Sequence, residues 1–286
     1  MDTSAPHATG ALATQRRDLW WVEPAVIFAI LVGFVMYATL RIFEGNSMAT
    51  RFFEVDNGHY HYLSPFGTPD LTPFVPAFLA GLPFVGVFFT NPAFLILPIP
   101  AGFRFTCYYY RKAYYRAFVA RPAACAVEAV KGVRYRGEKG LMVFQNVHRY
   151  FLYLAILVTF FLAWDAFRGI WVPNMALDPA TGEYARVAGN HLYFGLGNLL
   201  MVVNVILLCA FTFGCNSFRH LVGGKLDCYS CDAISQTRYT WWQYVTRLNT
   251  KHAMWAMASL FSVALTDVYI RYVGMHHVTT ILGVPA

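Results

Sequence analysis

The hydrophobic positions of this 286-residue chain come in long runs separated by basic, aromatic or proline-rich stretches. A helix that crosses a bilayer needs about 20 predominantly apolar residues. Four runs meet that need: Pro24 to Leu40 with its flanks, opened by Trp20 and Trp21, then His148 to Phe167, Leu192 to Phe213, and Lys251 to Val273. A fifth, between Pro76 and Thr106, is interrupted by Pro83, Pro92, Pro98 and Pro100. It predicts a bent or tilted helix ending near Phe105, preceded by an interfacial segment. The fold class expected is all-α: an integral membrane bundle of about five spans, near 22–42, 80–106, 148–168, 190–214 and 251–274, in one membrane-anchor domain over residues 1–286. The loops 107–147 and 215–249 are the sizeable soluble parts, and the loop 171–188 reads as a simple polar connector.

Composition supports this reading. The chain is 57% hydrophobic and only 13% charged, with a mean hydropathy of +0.43, whereas soluble domains carry about a quarter charged residues. The first nineteen residues are polar and no small-residue cleavage site follows the first run, which predicts a retained span and not a cleaved signal. The net charge of +7 accompanies no nucleic-acid recognition motif. It orients the chain instead. Of the 22 Lys and Arg, 17 lie before the first span or around the two long loops, and only Arg41, Arg51, Arg168, Arg186 and Arg271 lie on the other side. The positive-inside rule then puts the N-terminus in the cytoplasm and the C-terminus outside, as a multi-pass protein of the cytoplasmic (inner) membrane.

On this topology Cys107, Cys125, His148, Cys215, His220 and His252 all fall at the cytoplasmic boundary, although they are far apart in sequence. Thiolate and imidazole bind soft or borderline metals, iron–sulfur clusters and haem. Small buried cysteines and interfacial histidines of purely structural use are the plain alternative. A haem b held by two of His148, His220 and His252 is another. A second haem is poorly provided for, since the outer ends offer only His191, with His59, His61, His276 and His277 in loops or the tail. A mixed-ligand Rieske-type [2Fe–2S] cluster, two Cys on one iron and two His on the other, also suits the set. A transporter or scaffold is opposed by the lack of repeats and of midplane charge.

Other features read as structural. The lone pair Cys228-x-x-Cys231 lacks the second pair that a zinc site wants. Asp165 with Arg168, and Asp267 with Arg271, have the i+3 and i+4 spacing of helical ion pairs. Asn198 and Asn204 suit interhelical hydrogen bonds. The basic, Tyr-rich run from Tyr108 to Arg116 suits lipid headgroups or a soluble, electron-delivering partner.

That run, FRFTCYYYRKAYYRAF followed by PAACAV, resembles the membrane-anchor, SdhC-type subunits of one lineage of succinate dehydrogenases, the complex II enzymes. So do NVHRYFLYLA, GCNSFRHLVGG and LNTKHAMWAMASLFSVALTDVYIRYV. The resemblance implies a flavoprotein subunit carrying FAD and a soluble iron–sulfur subunit as partners. It also implies quinone as electron acceptor and an embedded Rieske-type [2Fe–2S] cluster in place of haem. Carried onto these motifs, it implies Cys107, Cys125, His148 and His252 as ligands, with His220 and Cys215 in reserve. Arg149, Tyr153 and Trp255 adjoin the chosen histidines and are expected at the quinone. Asn216 and Asp70 depart from the family pattern without touching the preferred four.

Overall fold

A computed structural model describes residues 12, 14, 16–43, 53–56, 60–130, 140–177, 184–224, 226–276, 280–281 and 284–285. Arg51, His59, Lys131, Arg134, Arg136, Lys139, Pro179, Gly182, Lys225 and His277 lie outside the described residues. In chain order the main elements are α1 (Val22–Phe43), β1 (Glu54–Asp56), β2 (His61–Leu63), α2 (Pro92–Ile96), α3 (Pro98–Thr106), α4 (Tyr108–Val119) and α5 (Leu141–Arg168). They continue with β3 (Trp171–Leu177), β4 (Tyr184–Leu192), α6 (Leu196–Phe213), α7 (Asn216–Gly223), α8 (Ala233–Thr250) and α9 (His252–His276). The helices α1, α5, α6 and α9 are long and apolar enough to cross a membrane.

The proline-rich run does not form one bent helix. It is cut into single turns at Ala77–Ala80 and Gly86–Phe89, followed by α2 and α3. Proline removes a backbone donor at each break, and inside hydrocarbon the freed groups need partners. Asn91 supplies them. Its side chain accepts from the Ala93 N–H and donates to the carbonyls of Arg41 (3.1 Å) and Ile42 (3.0 Å), which ties the broken segment to the end of α1.

The expected polar connector is an antiparallel hairpin, β3 with β4, so α6 opens at Leu196 and not near residue 190. Asn198 fixes that opening: its Oδ1 accepts from the Gly195 N–H (2.9 Å) and its Nδ2 donates to the Gly169 carbonyl at the end of α5 (2.7 Å). A Cβ on Gly197 would stand 2.4 Å from the Tyr62 ring, so only glycine lets β2 approach α6 here. Asn204 is also buried, and its Oδ1 has no hydrogen-bond partner among the described residues.

The long loops are themselves partly helical. α4 follows α3 directly, and α7 and α8 form a helical pair. Gly223 lies so near Trp242 that a Cβ would meet its ring at 2.2 Å, and the Arg219 guanidinium sits 4.6 Å from the same ring centroid. Cys228 and Cys231 are disulfide-bonded in the turn between the two helices. Asp232 caps α8 by accepting from the Ser235 N–H, which holds its carboxyl below the usual range.

At the other end of the bundle, Asp267 does not pair with its own-helix neighbour Arg271. Arg41 of α1 reaches it, Nε to Oδ2 at 2.9 Å, with both side chains fully buried. Tyr37 and Ser64 donate to the same carboxylate. Asp165 is buried, with a hydrogen bond from Thr68 and the charge of Arg168 nearby.

Removing one partner of a buried pair strands the other charge, at a cost of ~3–5 kcal/mol. Arg41→Met or Asp267→Leu alone should therefore lower the thermal unfolding midpoint of the detergent-solubilised protein markedly. The double change should recover most of the loss. Single variants as stable as wild type would contradict the pairing.

Candidate functional site: a buried Cys/His pocket

Two chain breaks build the site. α3 ends at Thr106 and α4 begins at Tyr108, with Cys107 between them in extended conformation as the N-cap (φ −69°, ψ 127°). α6 ends at Phe213 and α7 begins at Asn216, with Cys215 as the N-cap in the same conformation (φ −67°, ψ 142°). Both thiols thus sit at helix N-termini, where burial opposes the thiolate and the amide N–H groups offset only part of that cost. The Ser217 N–H donates to Cys215 Sγ at 3.3 Å.

The sequence around each break is alike: Phe103-Arg-Phe-Thr-Cys107 and Phe211-Thr-Phe-Gly-Cys215. The first Phe of each lies one helical turn before its Cys. The two rings meet edge to face with centroids 5.2 Å apart. Phe103 stacks on the His148 ring at 4.5 Å, and Phe211 on the His252 ring at 5.0 Å. This aromatic floor closes the site toward the membrane interior.

Above it stand four donors from four parts of the chain. His148 Nε2 is 3.0 Å from Cys215 Sγ, and His252 Nε2 is 3.6 Å from Cys107 Sγ. All four residues are buried. The Thr106 hydroxyl lies 2.7 Å from the Gly102 carbonyl and 3.0 Å from His148 Nδ1. If that hydroxyl gives its proton to the carbonyl, Nδ1 carries the imidazole hydrogen and Nε2 turns its lone pair to Cys215. Such an outer hydrogen bond is what orients metal-binding histidines. His252 Nδ1 is buried without a hydrogen-bond partner among the described residues.

The remaining expectations fall as follows. Cys125 is not brought to the site. The chain leaves α4 through Ala120 in the left-handed region (φ 49°) and turns toward the N-terminal segment, where Arg16 donates to the exposed Cys125's carbonyl at 2.9 Å. His220 is exposed on α7 but lines the same pocket of about 140 Å³, as does the exposed Arg149. Tyr153 is exposed on α5, and Trp255 is half-buried with its indole Nε1 lacking a hydrogen-bond partner among the described residues. Sequence reasoning missed Phe103, Phe211 and Thr106. The paired Phe-x-Phe-x-Cys pattern could have found the first two.

Whether these donors suit a metal group can be judged from their chemistry. Among the described residues no three or more of His, Cys, Asp and Glu converge on one point as ligands of a single ion. The four touch as two mixed Cys–His pairs, whereas a Rieske-type cluster takes two Cys on one iron and two His on the other. Two thiols and two imidazoles in one buried pocket match such a group in donor type and number.

A second cavity, about 360 Å³ and almost wholly apolar, lies on the membrane side of the aromatic floor. Phe34 and Ala38 of α1, Phe103 and Arg104 of α3, Ala155 of α5 and Phe211 of α6 bound it.

A bundle of membrane-crossing helices, closed at one end by a buried Cys/His pocket under helical loops, is the build of a membrane anchor in a redox complex. Residues 22–276 match the family described as actinobacterial succinate dehydrogenase subunit SdhC. The structure aligns with the Mycobacterium smegmatis Sdh1 complex in the apo form at a TM-score of 0.69, with 35% identity over 99% of this chain and 97% of that one. No curated protein matches the chain. The chain belongs to the actinobacterial SdhC family: it is a multi-pass cell-membrane subunit of succinate dehydrogenase, an oxidoreductase.

Thr106→Val should remove the hydroxyl partner of the buried His148 Nδ1, at a cost of about 1 kcal/mol, read as a lower unfolding midpoint of the complex. Thr106→Ser should restore it. Equal stability of the Val variant would contradict a stabilising Thr106–His148 hydrogen bond.

Proposed function

We infer that the chain is the electron-transferring anchor of a succinate:quinone oxidoreductase, with Cys107, Cys215, His148 and His252 holding a Rieske-type [2Fe–2S] cluster. The observation that carries this reading is the meeting of two buried thiols and two buried imidazoles at one end of the bundle. Cys215 replaces Cys125 in the set because it stands 3.0 Å from His148, whereas Cys125 is exposed elsewhere. The partners are the flavoprotein subunit, with FAD, and the soluble iron–sulfur subunit. They dock on the cytoplasmic face, where the positive-inside rule puts α4, α7 and α8.

When bound, the cluster supplies one-electron transfer between the iron–sulfur partner and quinone. The chain's own residues set the conditions for it. Phe103 and Phe211 keep water from the inner side of the pocket, and the helix N-termini offset part of the thiolate charge. Thr106 holds the His148 ring through Nδ1.

The quinone ring is assigned to the apolar cavity, whose walls include Phe103 and Phe211, the rings that stack on His148 and His252. Apolar walls with few polar groups suit such a ligand. One observation favours a second reading, with quinone beside Arg149, Tyr153 and Trp255: the buried indole N–H of Trp255 has no partner among the described residues and could donate to a quinone carbonyl.

Ala155→Phe would fill the apolar cavity. It should cut quinone reduction at least tenfold while sparing succinate oxidation with a soluble acceptor, and Trp255→Phe should change the quinone KM little. The reverse result would favour the second reading. Replacing His148 and His252 by Ala should abolish quinone reduction and again spare the soluble assay; unchanged quinone reduction would sink the ligand set. A reducible Soret band in the purified anchor would favour haem b over the cluster.

A further inference from the structure

Three arginines are buried: Arg104 and Arg111 at the end of the bundle that holds the Cys/His pocket, and Arg41 at the other. Arg41 is neutralised by Asp267. Arg104, 7% exposed, makes its hydrogen bonds to neutral groups. Its Nη1 donates to the Ala256 carbonyl (2.9 Å) and the Tyr110 hydroxyl, and its Nη2 to Ser259 Oγ (3.0 Å). Its Cζ stands 4.6 Å from the Phe211 ring centroid. No carboxylate pairs with it among the described residues.

An uncompensated charge in hydrocarbon is costly, and one held by several hydrogen bonds points to a functional use. Its position suggests which. Arg104 is one turn before Cys107 and is fastened to the turn of α9 that follows His252. It also touches Phe211, which stacks on His252. Its guanidinium therefore lies behind the ligand set, on the side of the apolar cavity.

We propose that Arg104 is a positioning residue for electron transfer: its fixed positive charge favours the reduced state of the group held by Cys107, Cys215, His148 and His252. The inference rests on the cluster reading above. Each electron arriving from the iron–sulfur subunit adds one unit of negative charge to the pocket, with no bond made or broken in the chain. A nearby buried cation stabilises that charge more than water would, because the surroundings screen it weakly.

The test is a redox titration of the assembled complex followed by EPR, with succinate oxidation by a soluble acceptor as the control for integrity. Arg104→Gln should move the oxidised–reduced equilibrium roughly tenfold toward the oxidised form, about 59 mV for one electron. Arg104→Lys should stay nearer wild type. Ser259→Asp tests the same charge without removing it, since a carboxylate placed against Nη2 would cancel the field; it should shift the potential in the same direction. If Arg104→Gln does not assemble, Ser259→Asp decides. An assembled Gln or Asp variant with unchanged potential overturns the proposal, as does a raised quinone KM at unchanged potential. A Rieske-type signal at wild-type potential in those variants leaves the cluster reading standing, whereas absence of any such signal from wild type removes both.

Discussion

Hydrocarbon offers no hydrogen bonds, so a polar group inside this bundle is costly unless another part of the chain answers it. That constraint accounts for the long-range contacts that fix the helices. Asn91 takes up the carbonyls at the end of α1, Asn198 joins the opening of α6 to the end of α5, and Arg41 reaches Asp267 across the bundle. At the opposite end Arg104 bonds to α9, and Thr106 holds His148. Each contact joins elements distant in sequence. Together they fix where α3, α5, α6 and α9 meet, which is where the Cys/His pocket forms.

The pocket is built on helix breaks. Twice the chain ends one helix with Phe-x-Phe-x-Cys and starts another at the next residue. The break turns each thiol inward at a helix N-terminus, and the preceding Phe packs under the opposing imidazole. Cysteine donors and their aromatic floor come from one local device used on two helices. The histidines come from α5 and α9, which carry them into the space between.

Much of this was legible in the sequence, for reasons that particular residues make clear. The four long helices show themselves because a span needs an unbroken apolar run. The fate of Pro76–Thr106 does not, because the number of prolines says a helix is disturbed but not whether neighbours repair it. Depth in the membrane is readable from position along a span; direction around the helix axis is not. Cys125 and Cys215 share a boundary depth, yet only Cys215 turns toward His148. Likewise Asp267 has Arg271 at helical spacing, but the carboxylate faces α1. Arg104 counted in sequence as one more cytoplasmic charge, whereas the structure buries it beneath the pocket.

The central claim is that Cys107, Cys215, His148 and His252 together hold a [2Fe–2S] cluster, and EPR of the purified complex carrying Cys215→Ser or Cys125→Ser tests it most directly. The account predicts a Rieske-type signal in wild type that survives Cys125→Ser and is lost or strongly altered in Cys215→Ser. A signal lost with Cys125→Ser and kept with Cys215→Ser would contradict it.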